Sequence, residues 1–583
     1  MRRILLLLLA ATGLFADEAS DLRNARAVFE ENIAAIHAKD RNRYLAVYLN
    51  SDKLVRTGPG GFQTGYEEFA KGAGGAWPDT LEATDLRLTP IRPGVVYGTY
   101  RYRVRTGANE TSGISERIFV DTPQGWRVAL TGAIGTPGVP PSPRAITGAT
   151  LIDGRGGAPV PNATIVVRDG KIECINCPVP AGVDVVDARG MFVTPGLVDA
   201  HVHFSQTGWT DGRPDAFDLR AEHPYEKVLA TLEKNPERFA RSYLCSGVTG
   251  VFDVGGYPWT LRLAERFAED TAAPHVRAAG PLLSTRDHWL NVPAARQFVH
   301  LSSEEIGRSG VRYLAAAGAN AVKVWFIVSR DLPVEASTPW VMAAGNEARK
   351  QNLPLIVHAT GLAEAKAALR AGAKLLVHSV WEPIDDEFIA LARQNGTIVT
   401  PTLTVSRGYT RLYGSVVSRT APAIDDNGCV DKVTRANVAS TATLPATLAN
   451  AEGLQVRETR VAALELLANM NLKKMVAAGI PIATGTDAGN PLTLHGASIN
   501  AELEAMQSAG MTAMQVVVAS TSVAARAAGI DKVTGTIEPG KSADLLLLAA
   551  DPTKDVRAFR QLRQVMRAGV IRGVEELRAM AAQ

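Results

Sequence analysis

The chain has 583 residues, a formal charge of +3, 46% apolar residues and 21% charged ones. That length calls for about two to four folded units, and the composition is that of a globular protein, not of a disordered or fibrous one. With so small a net charge and no basic tract interleaved with aromatics, nothing favours a nucleic-acid partner.

The N-terminal stretch "MRRILLLLLAATGLFADEAS" carries two arginines, then an apolar run from Ile4 to Phe15, then Ala16 before an acidic start. This is the pattern of a secretory signal peptide over residues 1–16, with an apolar core too short to span a bilayer. Cleavage predicts an exported protein, periplasmic or secreted, with no stable membrane insertion. Four cysteines are too few for a disulfide scaffold in a chain of this size. Cys174 and Cys177 form a C-x-x-C without a second one to make a zinc ribbon, which reads as a local disulfide or two packed thiols. Cys245 reads as a core residue.

From residue 20 to 136 a helical pattern, "DLRNARAVFEENIAAIHAKD", precedes alternating strands such as "VVYGTYRYRVRT" and "SERIFVDTPQGWRVALTG". The element order and the "RIFVDTPQGWRVAL" ending resemble the SnoaL-like (NTF2-like) α+β cone domains. His37, Asp40, Tyr44 and Tyr48 are pocket candidates there, although ordinary surface and core roles suit them as well. The unit is also a reasonable device for forming a homo-oligomer. A Gly/Pro-rich linker follows at 137–144.

Short β segments then occur at both ends of what remains, over 145–191 and 533–575, and predict one small composite β-sandwich. Between them, over 192–532, apolar strands alternate with amphipathic helices, the mark of a parallel α/β fold. Eight strands can be counted: Phe192–Phe204, Val248–Gly255, His275–Ser284, Ala321–Val328, Leu353–Ala359, Leu375–Ser379, Thr397–Leu403 and Ile480–Gly489. Eight such units suit a (β/α)8 TIM barrel. The stretch from about Thr404 to Gly453 reads as a long insertion after the seventh strand.

The ends of those strands carry the chemistry. "DAHVHF" supplies His201 and His203, "LIVHAT" His358, "LLVHS" His378 and "ATGTDAG" Asp487. Residues two apart on a strand share a face, so His201 and His203 can hold one ion. A barrel gathers its strand ends at one face, so distant residues can share a cluster. In "GANAVKVWFIV" a lysine, Lys323, interrupts a buried strand. Lysine is almost never fully buried without a partner or a chemical task. Beside metal ions its amine is driven towards the neutral form. A neutral amine can add carbon dioxide, and the resulting carbamate can bridge two metals as a carboxylate would.

Together "VTPGLVDAHVHF", "GVTGVFDVGG", "AVKVWF", "HSVWEP", "TGTDAG" and "GTIEPGKSADLLLL" resemble the amidohydrolase superfamily over about 144–573. The resemblance is to the imidazolonepropionase-related branch, which includes Xaa-Pro and other dipeptidases and ochratoxin-type amidases. It implies two divalent ions, zinc being expected. His201, His203 and Asp487 would hold one, His358 and His378 the other, with carbamylated Lys323 bridging both. Deaminases of the family carry an acid three positions after the fifth-strand histidine, where this chain has Gly361. That departure favours a two-metal amide hydrolase, with Asp487 taking a proton from water and passing it to the leaving nitrogen.

The expected substrate is small, a dipeptide (Xaa-Pro included) or an N-acyl amino acid. Two alternatives are a lactone or cyclic amide at the same site, and a non-catalytic binding protein using the N-terminal unit. Arg286, His288, Arg407, Tyr409 and His495 are the candidates for contacting a substrate carboxylate or forming a lid, with Arg411 and Tyr413 beside them. "SQTGWTDGRPD" is expected to shape the pocket mouth.

Overall fold

The computed structural model describes residues 2–58, 61–73, 75, 77–106, 109–135, 143–287, 291–292 and 295–582; of 2–17 only the backbone is described. The expected leader therefore lies largely outside the described side chains, and most of the expected linker lies outside the described residues. The chain divides into two compact units, Met1–Val139 and Pro140–Gln583. No described helix is long and apolar enough to cross a membrane.

Unit 1 has three helices, α1 (Arg2–His37), α2 (Arg41–Ala46) and α3 (Tyr66–Gly72). Its strands are β1 (Val55–Gly58), β2 (Gly61–Thr64), β3 (Thr80–Arg92), β4 (Val95–Thr106), β5 (Asn109–Val120) and β6 (Arg127–Gly135). They form one sheet in the order β2-β1-β6-β5-β4-β3. Alternation sets its inner face: Ser115, Arg117 and Phe119 are buried, while Ile114, Glu116 and Ile118 are more open. Asp40 serves as the N-cap of α2, accepting from the backbone N–H of Asn42 and Arg43. His37 is exposed and its Nε2 donates to Leu81 O. Tyr48 is core, its hydroxyl 3.1 Å from that of Tyr44.

Unit 2 begins with β7 (Arg144–Leu151), β8 (Val160–Arg168), β9 (Lys171–Ile175), β10 (Asp184–Asp187) and β11 (Phe192–Pro195). These join β21 (Leu545–Leu548), β22 (Leu562–Arg567) and β23 (Val570–Gly573) from the far end of the chain in one sheet, ordered β23-β22-β21-β11-β7-β8-β9 with β10 beside β7. Cys174 and Cys177 form a disulfide at its edge. Behind the sheet, Asp544 is buried between Arg567 and His275, with His275 Nε2 at 2.9 Å.

Parallel strands follow: β12 (Leu197–Val202), β13 (Val248–Asp253), β14 (His275–Ala278), β15 (Leu282–Ser284), β16 (Phe298–His300), β17 (Val322–Trp325), β18 (Leu355–His358), β19 (Leu375–Val377) and β20 (Ile398–Thr400). They pair as β12-β13-β14 and β16-β15-β17-β18-β19-β20, a mixed α/β arrangement consistent with a TIM-barrel-like domain.

Three strand readings need correction. Phe192–Phe204 is not one strand: Phe192–Pro195 belongs to the composite sheet, and the chain changes partners at Gly196. There the Gly196 N–H donates to Asp544 O and the next N–H, of Leu197, to Gly247 O. A Cβ on Gly196 would lie 2.0 Å from Thr249 Oγ1, so no side chain fits at the crossing. The third strand is broken at Gly280, in the left-handed region at φ 69°. The eighth, 480–489, forms no regular strand. It is held on one side by Ala483 N–H to Val399 O and on the other by Asp487 N–H to His201 O and His203 N–H to Ala488 O.

The insertion after β20 is helical and packed, not an open loop. Its helices Val405–Ser418 and Lys432–Ser440 bury Leu412, Val416 and Val438, with Val430 from the segment between them, against Trp209, Leu492 and Leu494. Cys429 in this insertion forms a disulfide with Cys245 of the helix Glu237–Cys245. Cys245 is indeed buried, and it is also half of a cross-link that its sequence surroundings do not announce.

Candidate active site

Four strands and one irregular segment deliver their residues to one cavity of about 230 Å³, lined by His201, His203, Lys323, His358, His378 and Asp487. His201 sits in β12 and His203 just beyond it. Lys323 is the second residue of β17, His358 ends β18 and His378 follows β19. Because these strands are parallel, all of those ends open on the same side. The rings of His201 and His203 lie 5.2 Å apart, His201 and His378 4.9 Å, and His358 and His378 4.3 Å.

Asp487 is the hub. Its Oδ1 lies 3.2 Å from His201 Nε2 and 3.0 Å from His203 Nε2, and its Oδ2 4.0 Å from His378 Nδ1. The close approach of 480–489 requires Gly485, where a Cβ would fall 2.3 Å from Thr400 Cγ2. Both Asp487 (φ 62°) and His378 (φ 77°) have left-handed backbones, a cost of about 1–3 kcal/mol each that the surrounding structure sustains. Asp199 locks the approach from below: its carboxylate accepts from Thr486 N–H at 2.9 Å and Thr486 Oγ1 at 2.6 Å.

The tautomers follow from the partners. His203 Nδ1 faces Gly255 O at 2.6 Å, so it must carry the proton, and Nε2 is left to face Asp487. His378 Nδ1 is held by Thr402 Oγ1 at 2.8 Å. Burial pushes the imidazoles of His201, His358 and His378 well below their usual range, with neighbouring cationic groups adding to it. Neutral imidazole is the ligating form. Burial works against the Asp487 charge, but His203, His378 and Lys323 hold its carboxyl below the usual range. Lys323, 2% exposed, is pushed down to about 7 by burial and makes no hydrogen bond or ion pair with any described residue. Lone pairs of two imidazoles and a carboxylate thus converge on one point, and Asp487 Oδ1 and His201 Nδ1 have no hydrogen-bond partner. Such a donor set fits a divalent cation.

The substrate candidates fare unevenly. Tyr409 lines the cavity and donates to Asn490 Oδ1 at 2.7 Å. Arg407 turns away to pair with Glu465 at 2.5 Å, while Glu465 itself lines the cavity. Arg286 is exposed and does not line the cavity; its carbonyl accepts from Ser284 Oγ at 2.6 Å. His288 lies outside the described residues. His495 is buried behind the site: its ring stacks on Phe239 at 3.6 Å and its Nε2 donates to His203 O at 3.0 Å. Burial holds it neutral, down to about 3, so it props the turn at His203 and does not line the cavity. Arg411 bonds the backbone at Leu492 O, and Tyr413 receives the N–H of Asn450.

Sequence reasoning missed Arg213. It lies inside the "SQTGWTDGRPD" stretch, lines the cavity, and pairs with Asp215 at 2.7 Å and with Asn490 Oδ1. Apolar walls come from Trp325, Trp381 and Phe298.

The amidohydrolase family model matches residues 192–572, and the chain belongs to that family. It is a hydrolase acting on carbon–nitrogen bonds. Among its relatives, ochratoxinase of Aspergillus niger is 26% identical over 448 residues, covering 70% of this chain and 82% of that protein. A solved prolidase-type structure from Bifidobacterium longum is 25% identical with a TM-score of 0.56, covering 76% of this chain and 99% of that one. The crystal structure of a Xaa-Pro dipeptidase shares the fold at TM-score 0.57 and 24% identity, covering 74% and 100%.

Proposed function

We propose that this protein is an exported, two-metal amidohydrolase that cleaves the C–N amide bond of a small carboxylate-bearing substrate, a dipeptide (Xaa-Pro among them) or an N-acyl amino acid. The observation that carries the reading is the buried, unpartnered Lys323 amid four histidines and Asp487. An amine depressed to about 7 is substantially neutral at physiological pH and open to carbon dioxide. Carbamylated, it exchanges a buried cation for a two-oxygen anion that suits the same cavity.

His201, His203 and Asp487 would hold one zinc, His358 and His378 the other, with the Lys323 carbamate between. The ions would supply Lewis acidity and ready ionisation of water. Asp487, held as a carboxylate, accepts the proton of the attacking water and returns it to the departing nitrogen. Arg213 and Tyr409, beside each other at the mouth, receive the substrate carboxylate, and the wall of Trp325, Trp381 and Phe298 takes its apolar part and excludes water. The absence of an acid at Gly361 separates this reading from ring deamination.

The hydrogen-bonded circuit from β12 through β20 and back through 480–489 is read as a (β/α)8 barrel. Unit 1 is read as a SnoaL-like cone. Two disulfides and no free cysteine support an oxidising destination, and with it removal of a leader at 1–16.

The test is mass spectrometry of zinc-loaded protein incubated with dipeptides, N-acyl amino acids, lactones and amino-heterocycles. Splitting of amides with a free C-terminal carboxylate supports the reading, whereas ring opening of lactones or exchange of amine for oxygen overturns it. Lys323→Ala is expected to lose bound metal and activity together, with partial recovery in short carboxylic acids. Two metals and full activity in that variant refute the carbamate.

A further inference from the structure

Unit 1 contains its own cavity, of about 460 Å³, whose floor includes Arg117 of β5. On that strand Ser115, Arg117 and Phe119 face inwards, so position 117 falls where alternation calls for an apolar residue. Arg117 is 6% exposed. Its Nη1 donates to Ser115 Oγ at 2.5 Å, to Glu116 O at 3.0 Å and to Gly132 O at 3.4 Å, and its Nη2 to Tyr100 Oη at 2.8 Å. Every one of these acceptors is uncharged, and Nε has no acceptor at all. A guanidinium is charged at any physiological pH, and a buried charge is ordinarily paired. Here no carboxylate pairs with it among the described residues.

The rest of the cavity matches that demand. Among the described residues no Asp or Glu lines it. Tyr44, Tyr100 and Tyr102 form aromatic walls, and Phe62, 77% exposed, stands at the rim beside a second cation, Arg56. Packing alone accounts for the tyrosines but not for a buried cation that no described carboxylate faces.

We propose that this cavity is a binding site for a small organic monocarboxylate with a flat, apolar or aromatic body, its carboxylate seated on Arg117 and its body among the three tyrosines. A guanidinium fork matches a carboxylate geometrically, and aromatic faces suit a flat ring. The site belongs to unit 1 by itself and does not depend on the hydrolase reading.

The experiment is calorimetric titration of the full-length protein with benzoate, alongside benzyl alcohol as a neutral probe of similar size. Benzoate is expected to bind and benzyl alcohol to bind at least about tenfold more weakly. Arg117→Met should weaken benzoate by about 10- to 100-fold, the loss of a charge-assisted hydrogen-bonded pair. Ala133→Phe, on the cavity wall, leaves the cation in place and fills the space, and should abolish binding too; it decides the matter if Arg117→Met fails to fold. Failure of wild-type protein to bind benzoate overturns the proposal. So does benzoate binding that persists in Ala133→Phe, which would locate it elsewhere in the chain.

Discussion

Replacing Cys245 and Cys429 together by alanine should destabilise unit 2 far more than the same change at Cys174 and Cys177. The first pair is 184 residues apart and the second three. In the chain-entropy model a cross-link restricts the unfolded ensemble by an amount that grows with the logarithm of the loop it closes, giving about 5 kcal/mol for the long loop and about 2 kcal/mol for the short one. Structural geography adds to the contrast, because the long link fastens the helical insertion to the helix Glu237–Cys245. The assay is urea unfolding under non-reducing conditions, followed by far-UV circular dichroism, with hydrogen exchange read across residues 405–453. The long-link variant should move the unfolding midpoint about twice as far or more, and should speed exchange in the helix Val405–Ser418, which carries Tyr409. Equal shifts for the two pairs, or an insertion that exchanges as slowly as in the wild type, would refute the reasoning.

Two further substitutions probe different parts of unit 2. Asp544→Ala strands Arg567 in the interior and is expected to cost about 3–5 kcal/mol by thermal or urea denaturation. Burial opposes the Asp544 charge, but Arg567 and His275 hold its carboxyl well below the usual range. That contribution is therefore complete above the ordinary carboxylate pKa, is lost as pH falls through the depressed one, and should be missing from the acid limb of the variant's stability curve. Arg213→Leu should raise KM by about 10- to 100-fold for substrates with a free carboxylate while leaving kcat within a few-fold, and should matter much less for the matching amides. A fall in kcat with unchanged KM would remove Arg213 from carboxylate binding.

The residues that meet in the unit 2 cavity were legible because their signals are local. H-x-H at a strand end, a lysine inside an apolar run and an aspartate in a Gly-rich segment each identify themselves within a few residues. What escaped depends on long-range pairing. Arg213 is drawn to the cavity by Asn490, 277 positions away, and Cys245 finds its partner across the insertion. Strand ends were misjudged where an apolar run continues through a change of partner, as at Gly196, since both neighbouring sheets demand the same residue types. Segment 480–489 has the composition of a strand, but the turn at Asp487 that presents its carboxylate interrupts the ladder. His495 misled because a polar side chain after a strand end serves equally to brace a backbone carbonyl or to meet a substrate.

The composite sheet carries a lesson about order of assembly. Strand β11 is flanked by β7 and by β21, so its neighbour on one side leaves the ribosome only after the whole parallel domain has been made. Until Leu545–Leu548 arrives, Val193 and its companions present an unpaired, apolar edge, and the irregular segment bearing Asp487 has no finished platform beneath the strand that receives it. The composite sheet is therefore complete only once the C-terminal strands have been made. A chain stopped between residues 488 and 544 would hold every candidate metal-ligating side chain of the cavity and still lack the strands that complete the sheet leading into β12.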